Sequence, residues 1–328
     1  MSEPAARVLF MGTPDFAVPA LEAVAKGPYD VVAVVTQPDR PQGRRRVLTP
    51  SPVKRAAQAL SLPLLQPDKV RRDGALTQIA ALRPDVLVTA AYGQILPQRL
   101  LDIPRLGCIN IHASLLPRWR GAAPIHRALL AGDAETGVTL MEMVAALDAG
   151  PILSARAVPI ELEDNVGSLH DRLAALGAQM LVELLPEYVS GRVKAQPQPD
   201  IGVTYAKQLH RDDEWINWAN RVAVVHDHIR GLSPWPGAAA KLRGADFKIW
   251  AARPIVDSSL GTPELPGTLR LNGRQVLVSC LDGWIELNSL QPAGRKAMTA
   301  DDWARGVDAD GLRFSSLEPT TDKGGAQS

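Results

Sequence analysis

Cysteine is nearly absent: the chain of 328 residues has only Cys108 and Cys280. Without a second pair at metal-ligand spacing, a disulfide framework and a cysteine-based zinc site are excluded, and both residues read as buried free thiols. No segment reaches the roughly 18 consecutive apolar residues that a membrane span needs. The N-terminus passes from MSEPAAR straight into Val8-Leu9-Phe10-Met11, without the charged start and long apolar stretch of a signal peptide. A cytoplasmic protein is the expectation. Net charge is almost absent too, at +1, so a general attraction to nucleic acid is missing and any RNA contact must be local. The first turn, Gly12-Thr13-Pro14-Asp15-Phe16, lacks the second and third glycines of a dinucleotide fingerprint, which argues against a nicotinamide-dependent oxidoreductase. No internal repeat is visible.

What remains is ordinary globular material, 46% hydrophobic and 22% charged, long enough for two domains. Arg7 to Met11 reads as a buried strand, followed by a helix to about Gly27 with Thr13 as its cap and Pro14 at its first position. Val31 to Thr36, Asp85 to Tyr92 and Gly107 to His112 are further strands, and Ser51-Pro52 starts another helix that runs to about Leu60. The alternation predicts an α/β domain with a mostly parallel sheet flanked by helices. Its ligand crevice lies beyond the carboxyl ends of the strands, after Met11, Thr36, Tyr92 and His112.

A helical pattern covers Ser168 to Val189, and residues 191–209 read as a linker, rich in Pro and Gln and poor in apolar residues. Asn217 to Arg230 has helical spacing. Short alternating runs follow, Phe247 to Trp250, Thr268 to Leu271, Gln275 to Ser279 and Trp284 to Leu287, which predict a small barrel between residues 210 and 316. Residues 317–328 read as a polar tail.

On the strand ending at His112, Asn110 and His112 stand two apart and therefore on one face. Such a pair often only satisfies buried backbone groups. The rigid apolar loop that follows, Ser114-Leu115-Leu116-Pro117, tips the reading toward a pocket wall. Asp148 sits in Leu147-Asp148-Ala149-Gly150 between two apolar strands, where an aspartate is commonly just a turn residue. The segment from Arg40 to Arg55 holds six basic residues and no acid, and residues 230–280 hold seven basic residues against three acids. His226 and His228, one residue apart in a helix, point in different directions and make a poor metal pair. His126, His170 and His210 read likewise as surface or packing residues.

Asn110-x-His112, SLLPRWRGAAPI from Ser114 and Leu147-Asp148-Ala149-Gly150 resemble the active-site signature of the 10-formyltetrahydrofolate-dependent formyltransferases. FMGTPDFAVPAL from Phe10, VVTQPDRPQGR from Val34, AAYGQILP from Ala90, SPWPGA from Ser233 and SLQPAGRKAM from Ser289 extend the resemblance along nearly the whole chain. It implies a Rossmann-like catalytic domain over residues 1–190 and an OB-like β-barrel. It implies Asn110, His112 and Asp148 as the catalytic trio, and Ser114, Leu115, Leu116 and Pro117 as part of the folate-binding wall. The implied donor is 10-formyltetrahydrofolate, with no metal required. The implied acceptor is the amino group of methionine on the initiator tRNA.

These residue types suit that chemistry. An amine attacking a formyl carbon creates an oxyanion, which needs aimed donors such as the Asn110 amide. Histidine changes charge near neutral pH and relays protons, and Asp148 either orients His112 or accepts the proton that the amine loses. The resemblance places Arg44 in a loop that meets the acceptor end of the tRNA, with Arg45 and Arg46 beside it. The basic excess over residues 230–280 suggests a small barrel that tracks RNA backbone, with Lys241, Arg243 and Lys248 among its contacts. A monomer is expected. A formyltransferase for a small amine is the nearest rival, opposed by the added barrel and the basic cluster. A non-catalytic RNA-binding protein on the same scaffold gives no reason for the trio to be intact.

Overall fold

A computed structural model of the protein describes residues 6–42, 46–255 and 260–315. They form two compact units. Of the described residues, the first comprises those within 6–124, 135–159 and 168–207, and the second those within 125–134, 160–167 and 208–315.

In chain order, the elements up to the sheet centre are β1 (Arg7–Gly12), α1 (Val18–Lys26), β2 (Asp30–Val35), β3 (Arg40–Gln42), β4 (Val47–Thr49), α2 (Pro52–Ala59), β5 (Leu64–Leu65), α3 (Asp73–Ala81) and β6 (Val86–Ala90). Then come α4 (Gln98–Leu101), β7 (Cys108–His112), β8 (Arg120–Gly121), α5 (Pro124–Leu130), β9 (Glu135–Glu142), β10 (Ile152–Pro159), α6 (Val166–Val189) and β11 (Tyr205–Ala206). The main sheet runs β10-β9-β7-β6-β1-β2-β5. Strands β7, β6, β1, β2 and β5 are parallel, and β9 and β10 add an antiparallel edge. The continuous apolar runs of β1 and β6 are buried on both faces, as a parallel sheet covered on both sides requires. The α/β, Rossmann-like expectation is met.

Two helix starts contrast. Ser51 caps α2 as expected, its Oγ accepting from the Lys54 N–H at 3.0 Å, with Pro52 at the first position. Thr13 does not cap α1. Its hydroxyl donates to the Tyr92 carbonyl at 2.8 Å, so Pro14 precedes a 3-10 turn at Asp15–Ala17 and α1 begins only at Val18. The displaced cap ties the loop after β1 to the loop after β6.

The second unit contains α7 (Val222–Arg230), β12 (Ala238–Leu242), β13 (Ala245–Ile255), β14 (Leu269–Asn272), β15 (Gln275–Ser279), β16 (Trp284–Pro292), β17 (Met298–Thr299) and α8 (Ala300–Ala304). Its antiparallel sheet runs β12-β13-β16-β15-β14, with β17 on β16. Trp218, Phe247, Trp303 and Phe314 meet in its core. The expected helix from Asn217 is shorter at its start. Asn217 Oδ1 instead accepts from the Ala219 N–H, and the Ile216 N–H pairs with the Ala239 carbonyl, which places Trp218 fully in the core. Among the described residues no helix is long and apolar enough to cross a membrane.

Candidate active site

Alternation along β7 divides its side chains. Ile111 faces α6 closely enough that a Cβ added at Gly177 would stand 2.7 Å from its Cγ2. On the other face Cys108 joins a core cluster with Leu87, Tyr92 and Met143. Burial, with Asp102 nearby, pushes its thiol up to about 12, so it stays protonated and inert. Asn110 and His112 continue that face toward the strand's carboxyl end. The apolar core thus gives way to polar side chains within one strand.

The His112 side chain is nearly buried, with its Nε2 2.9 Å from the Trp119 carbonyl oxygen. A carbonyl only accepts, so Nε2 carries a hydrogen and Nδ1 is left to face Asp148. Nδ1 lies 3.7 Å from Asp148 Oδ2, an ion-pair distance rather than a hydrogen bond. Asn110 is half-buried between Thr89 and Met141 of the neighbouring strands, and its amide makes no hydrogen bond among the described residues.

Asp148 reaches His112 from the loop joining β9 and β10. Its φ is +45°, a left-handed conformation that aspartate tolerates better than most residues. Its Oδ2 accepts from the Gly121 N–H at 2.8 Å. Gly150 lets the loop lie flat on β9, because a Cβ there would stand 1.8 Å from the Glu142 carbonyl oxygen. Gly121, at φ +121°, has the same constraint against the Ala206 carbonyl, 2.8 Å from the Cβ position.

The four residues expected in the folate wall form a tight turn. Ser114 is fully buried and spends its hydroxyl on the Arg118 carbonyl. Its own carbonyl accepts from Thr139 Oγ1, which in turn accepts from the Leu116 N–H. The Leu116–Pro117 peptide is cis. Leu115 and Pro117 are half-buried and Leu116 is buried. Ser114 therefore shapes the turn, and its hydroxyl is already committed.

Sequence reasoning missed the part played by residues 196–206. Gln196 and Ile152 exchange backbone hydrogen bonds, and Tyr205–Ala206 pair in parallel with Arg120–Gly121. Thr204 Oγ1 accepts from the Trp119 N–H. Gln198 donates to the Asp148 and Gly150 carbonyls, both at 2.8 Å, and accepts from Arg120 at 3.0 and 2.7 Å. A stretch read as a linker is hydrogen-bonded to both loops of the site. The only signal in the sequence is the alternation Gln196-Pro197-Gln198-Pro199.

Of the expected RNA contacts, Arg44 and Arg45 lie outside the described residues. Arg46 is exposed in the turn between β3 and β4 with φ +48°. Lys241 sits 3.5 Å from Asp246 and over the Trp215 ring. Arg243 is exposed in the β12–β13 turn with no ion pair among the described residues. Lys248 Nζ is held by Glu214 and by the Gly237 carbonyl, at 2.6 and 2.7 Å. The basic excess counted over residues 230–280 is largely cancelled in the structure, because Asp227, Glu214, Glu286 and Asp301 enter from outside that window. A cavity of about 440 Å³ beside Arg7, Tyr29 and Asp30 opens at the starts of β1 and β2, the opposite end from His112, and its arginine is occupied by Asp30 and two carbonyls.

The sequence profile of the formyl transferase family matches residues 6–185, and that of the formyl transferase C-terminal domain matches residues 208–308. The chain is 46% identical over 303 residues to the methionyl-tRNA formyltransferase of Bacillus subtilis, covering 92% of this chain and 95% of the relative. It is 49% identical over 304 residues to that of Halorhodospira halophila, covering 92% and 96%. In fold it is similar to the N-formyltransferase of Helicobacter canadensis, solved with folinic acid and dTDP-3-aminofucose, with a TM-score of 0.66 at 17% identity over 87% of this chain and 98% of that one. HypX from Aquifex aeolicus, solved with tetrahydrofolic acid, gives 0.63 at 17% identity over 92% of this chain and 47% of that one. With relatives this similar spanning nearly the full length of both chains, the protein belongs to the methionyl-tRNA formyltransferase family.

Proposed function

We propose that Asn110, His112 and Asp148 carry out the family's reaction, transfer of the formyl group of 10-formyltetrahydrofolate to the amino group of methionine on the initiator tRNA. The observation that carries this reading is the approach of His112 Nδ1 to a carboxylate held in place by the Gly121 N–H. The amine nitrogen bonds to the formyl carbon, the bond from that carbon to the folate nitrogen breaks, and one proton passes from amine to leaving nitrogen. The unengaged Asn110 amide donates to the oxyanion of the tetrahedral intermediate. Nε2–H of His112 is committed to Trp119, so Nδ1 takes the amine's proton, and Asp148 stabilises the imidazolium that results.

Exposed Ile95 and Leu147 give the loops after β6 and β9 apolar surface that suits a planar reduced folate, beside the turn at Ser114, Leu115, Leu116 and Pro117. Residues 1–190 are the catalytic domain in this reading. Residues 210–316 hold tRNA through Lys241 and Arg243, while Lys248 contributes only if Glu214 releases it. Residues 191–209 join the two and 317–328 are a tail. Arg44, with Arg45 and Arg46, meets the acceptor end. The second unit is read as an OB-like closed barrel, supported by bridges from Phe314 to Leu242 and from Arg313 to Thr268, which bring one segment against both edges of its sheet. We take the protein to be a cytoplasmic monomer, which light scattering at assay concentration checks.

The test is formyl transfer from 10-formyltetrahydrofolate to charged initiator tRNA by the parent, His112→Ala and Arg44→Ala. His112→Ala should lower kcat by about 10²- to 10⁴-fold. Arg44→Ala should raise the KM for tRNA and leave that for the folate unchanged. A His112→Ala protein as active as the parent overturns the assignment of the trio.

A further inference from the structure

We propose that Gln198 is a positioning residue for the reaction, holding Asp148 at its backbone while the Gly121 N–H holds its carboxylate; this rests on the assignment of Asp148 above. Both ends of the Gln198 amide are used. Its NH₂ group donates to the Asp148 and Gly150 carbonyls, and its oxygen accepts two hydrogen bonds from the Arg120 guanidinium. Turning the amide over would set NH₂ against arginine donors and oxygen against two carbonyls, so the chemistry fixes the orientation.

The contacts close a ring. From the Asp148 backbone the path runs through Gln198 to Arg120, along the chain to Gly121, and from the Gly121 N–H back to the Asp148 carboxylate. Asp148 needs such support because its positive φ is a conformation that an unrestrained residue leaves readily. Without the amide, nothing else among the described side chains bonds the Asp148 and Gly150 carbonyls together. The carboxylate would then be free to drift from His112 Nδ1, and a displacement of about 1 Å can cost about 10²-fold in rate.

Gln198 is also separable from the anchoring of its own segment. Gln196 pairs with Ile152, Thr204 bonds Trp119 and Arg120, and Ala206 bonds Ala122 and Ala123, all without the Gln198 side chain. Removing that side chain leaves the segment in place and frees only the loop bearing Asp148.

The experiment is a double-mutant cycle on the full chain, with single-turnover formyl transfer from 10-formyltetrahydrofolate to charged initiator tRNA. Gln198→Ala and Gln198→Glu are each made in the parent and in Asp148→Ala, with KM values and thermal melting measured alongside. The carboxylate of Gln198→Glu keeps the contact with Arg120 and loses both donors to the loop. Both variants should lower the rate by about 10- to 100-fold, with KM values within about twofold of the parent. In the Asp148→Ala background the further loss should vanish, because a positioning residue has nothing left to position. Gln198→Glu is nearly isosteric and decides the matter should Gln198→Ala fail to fold. Equal losses in both backgrounds, or an unimpaired rate beside an inactive Asp148→Ala, overturn the proposal alone. An Asp148→Ala protein as active as the parent overturns the site assignment and this proposal with it.

Discussion

Six of the seven basic side chains between residues 230 and 280 are paired with carboxylates inside the second unit, and Arg243 has no such partner among the described residues. In the first unit the polar groups that matter are left partly unsatisfied: the Asn110 amide makes no hydrogen bond among the described residues, and His112 Nδ1 faces Asp148 beyond hydrogen-bond range. The cores differ in the same direction. One cluster, on parallel strands, is aliphatic except for Tyr92, and the other, on antiparallel strands, gathers four aromatic rings among its aliphatic residues. Charges that satisfy one another rigidify a unit, whereas aimed but incompletely satisfied polar groups are a resource for chemistry. Under the proposed assignment, holding and reacting divide where the hydrogen bonds end.

The largest expected effect tests whether the two cores are energetically separate. Trp218 is fully buried and stacks on Phe314 with ring centroids 5.3 Å apart. Trp218→Ala should cost about 3–5 kcal/mol. Hydrogen exchange should show protection lost in β12 to β16 and kept in β1 and β6. Equal loss in both sheets would show that the units share one cooperative core.

Gly150→Ala strikes the reacting side. A methyl group placed 1.8 Å from the Glu142 carbonyl oxygen forces the Asp148 loop off β9, since backbone cannot yield as a flexible side chain does. Formyl transfer should fall by about 10²-fold, with hydrogen-exchange protection of the second unit unchanged. Retained activity would mean that the loop's resting position is unimportant.

The strands of both sheets were legible as apolar or alternating runs, because burial on one or two faces writes a period into the sequence. The shared face of Asn110 and His112 followed from that period alone. Their meeting with Asp148 did not, since a loop between two strands carries no spacing rule, and resemblance supplied it. Gln198 was illegible for a further reason: two of its partners are backbone carbonyls of a distant loop, which leave no trace in residue type, and the third, Arg120, lies 78 positions away in the chain. Counting charge over residues 230–280 gives an excess that pairing largely neutralises, because four of the six pairing acids lie outside that stretch of chain while inside the same unit. Thr13 looked like a cap, but a neighbouring strand's loop offered its hydroxyl a better acceptor.

A smaller effect is expected at Arg243, which has no ion pair among the described residues. Arg243→Ala should weaken tRNA binding several-fold and lower the log–log salt slope by about one, as loss of a single phosphate contact does. Kinetics with a minimal formyl acceptor lacking the tRNA body should be unchanged. An unchanged salt slope would remove Arg243 from the RNA contacts.

The smallest effect separates the units by pH. Burial, reinforced by Arg230, holds His226 below the ordinary histidine range against the opposing pull of Asp227 and Glu163. Burial likewise lowers His228, whose Nε2–H donates to the Glu214 carbonyl. A histidine ordinarily titrates near 6.5, so below that value the unfolded chain binds protons that the folded second unit refuses. Stability from the two residues is therefore complete above about pH 6.5 and declines as pH falls from there toward their lowered values. The first unit's shifted carboxylates act in a different window. Asp39, hydrogen-bonded by Lys54, and Asp85, hydrogen-bonded by the Arg7 N–H, sit below the usual carboxylate range. Their contribution is present above about pH 4 and is lost as pH falls through their lowered values. Denaturant melts followed by hydrogen exchange should show the second unit weakening as pH falls below about 6.5. The double variant His226→Gln/His228→Gln should flatten that slope without touching the acid limb, to which Asp39 and Asp85 of the first unit and Asp213 and Asp301 of the second all contribute. A slope that survives the double variant would place the proton uptake elsewhere and remove pH as a means of telling the two units apart.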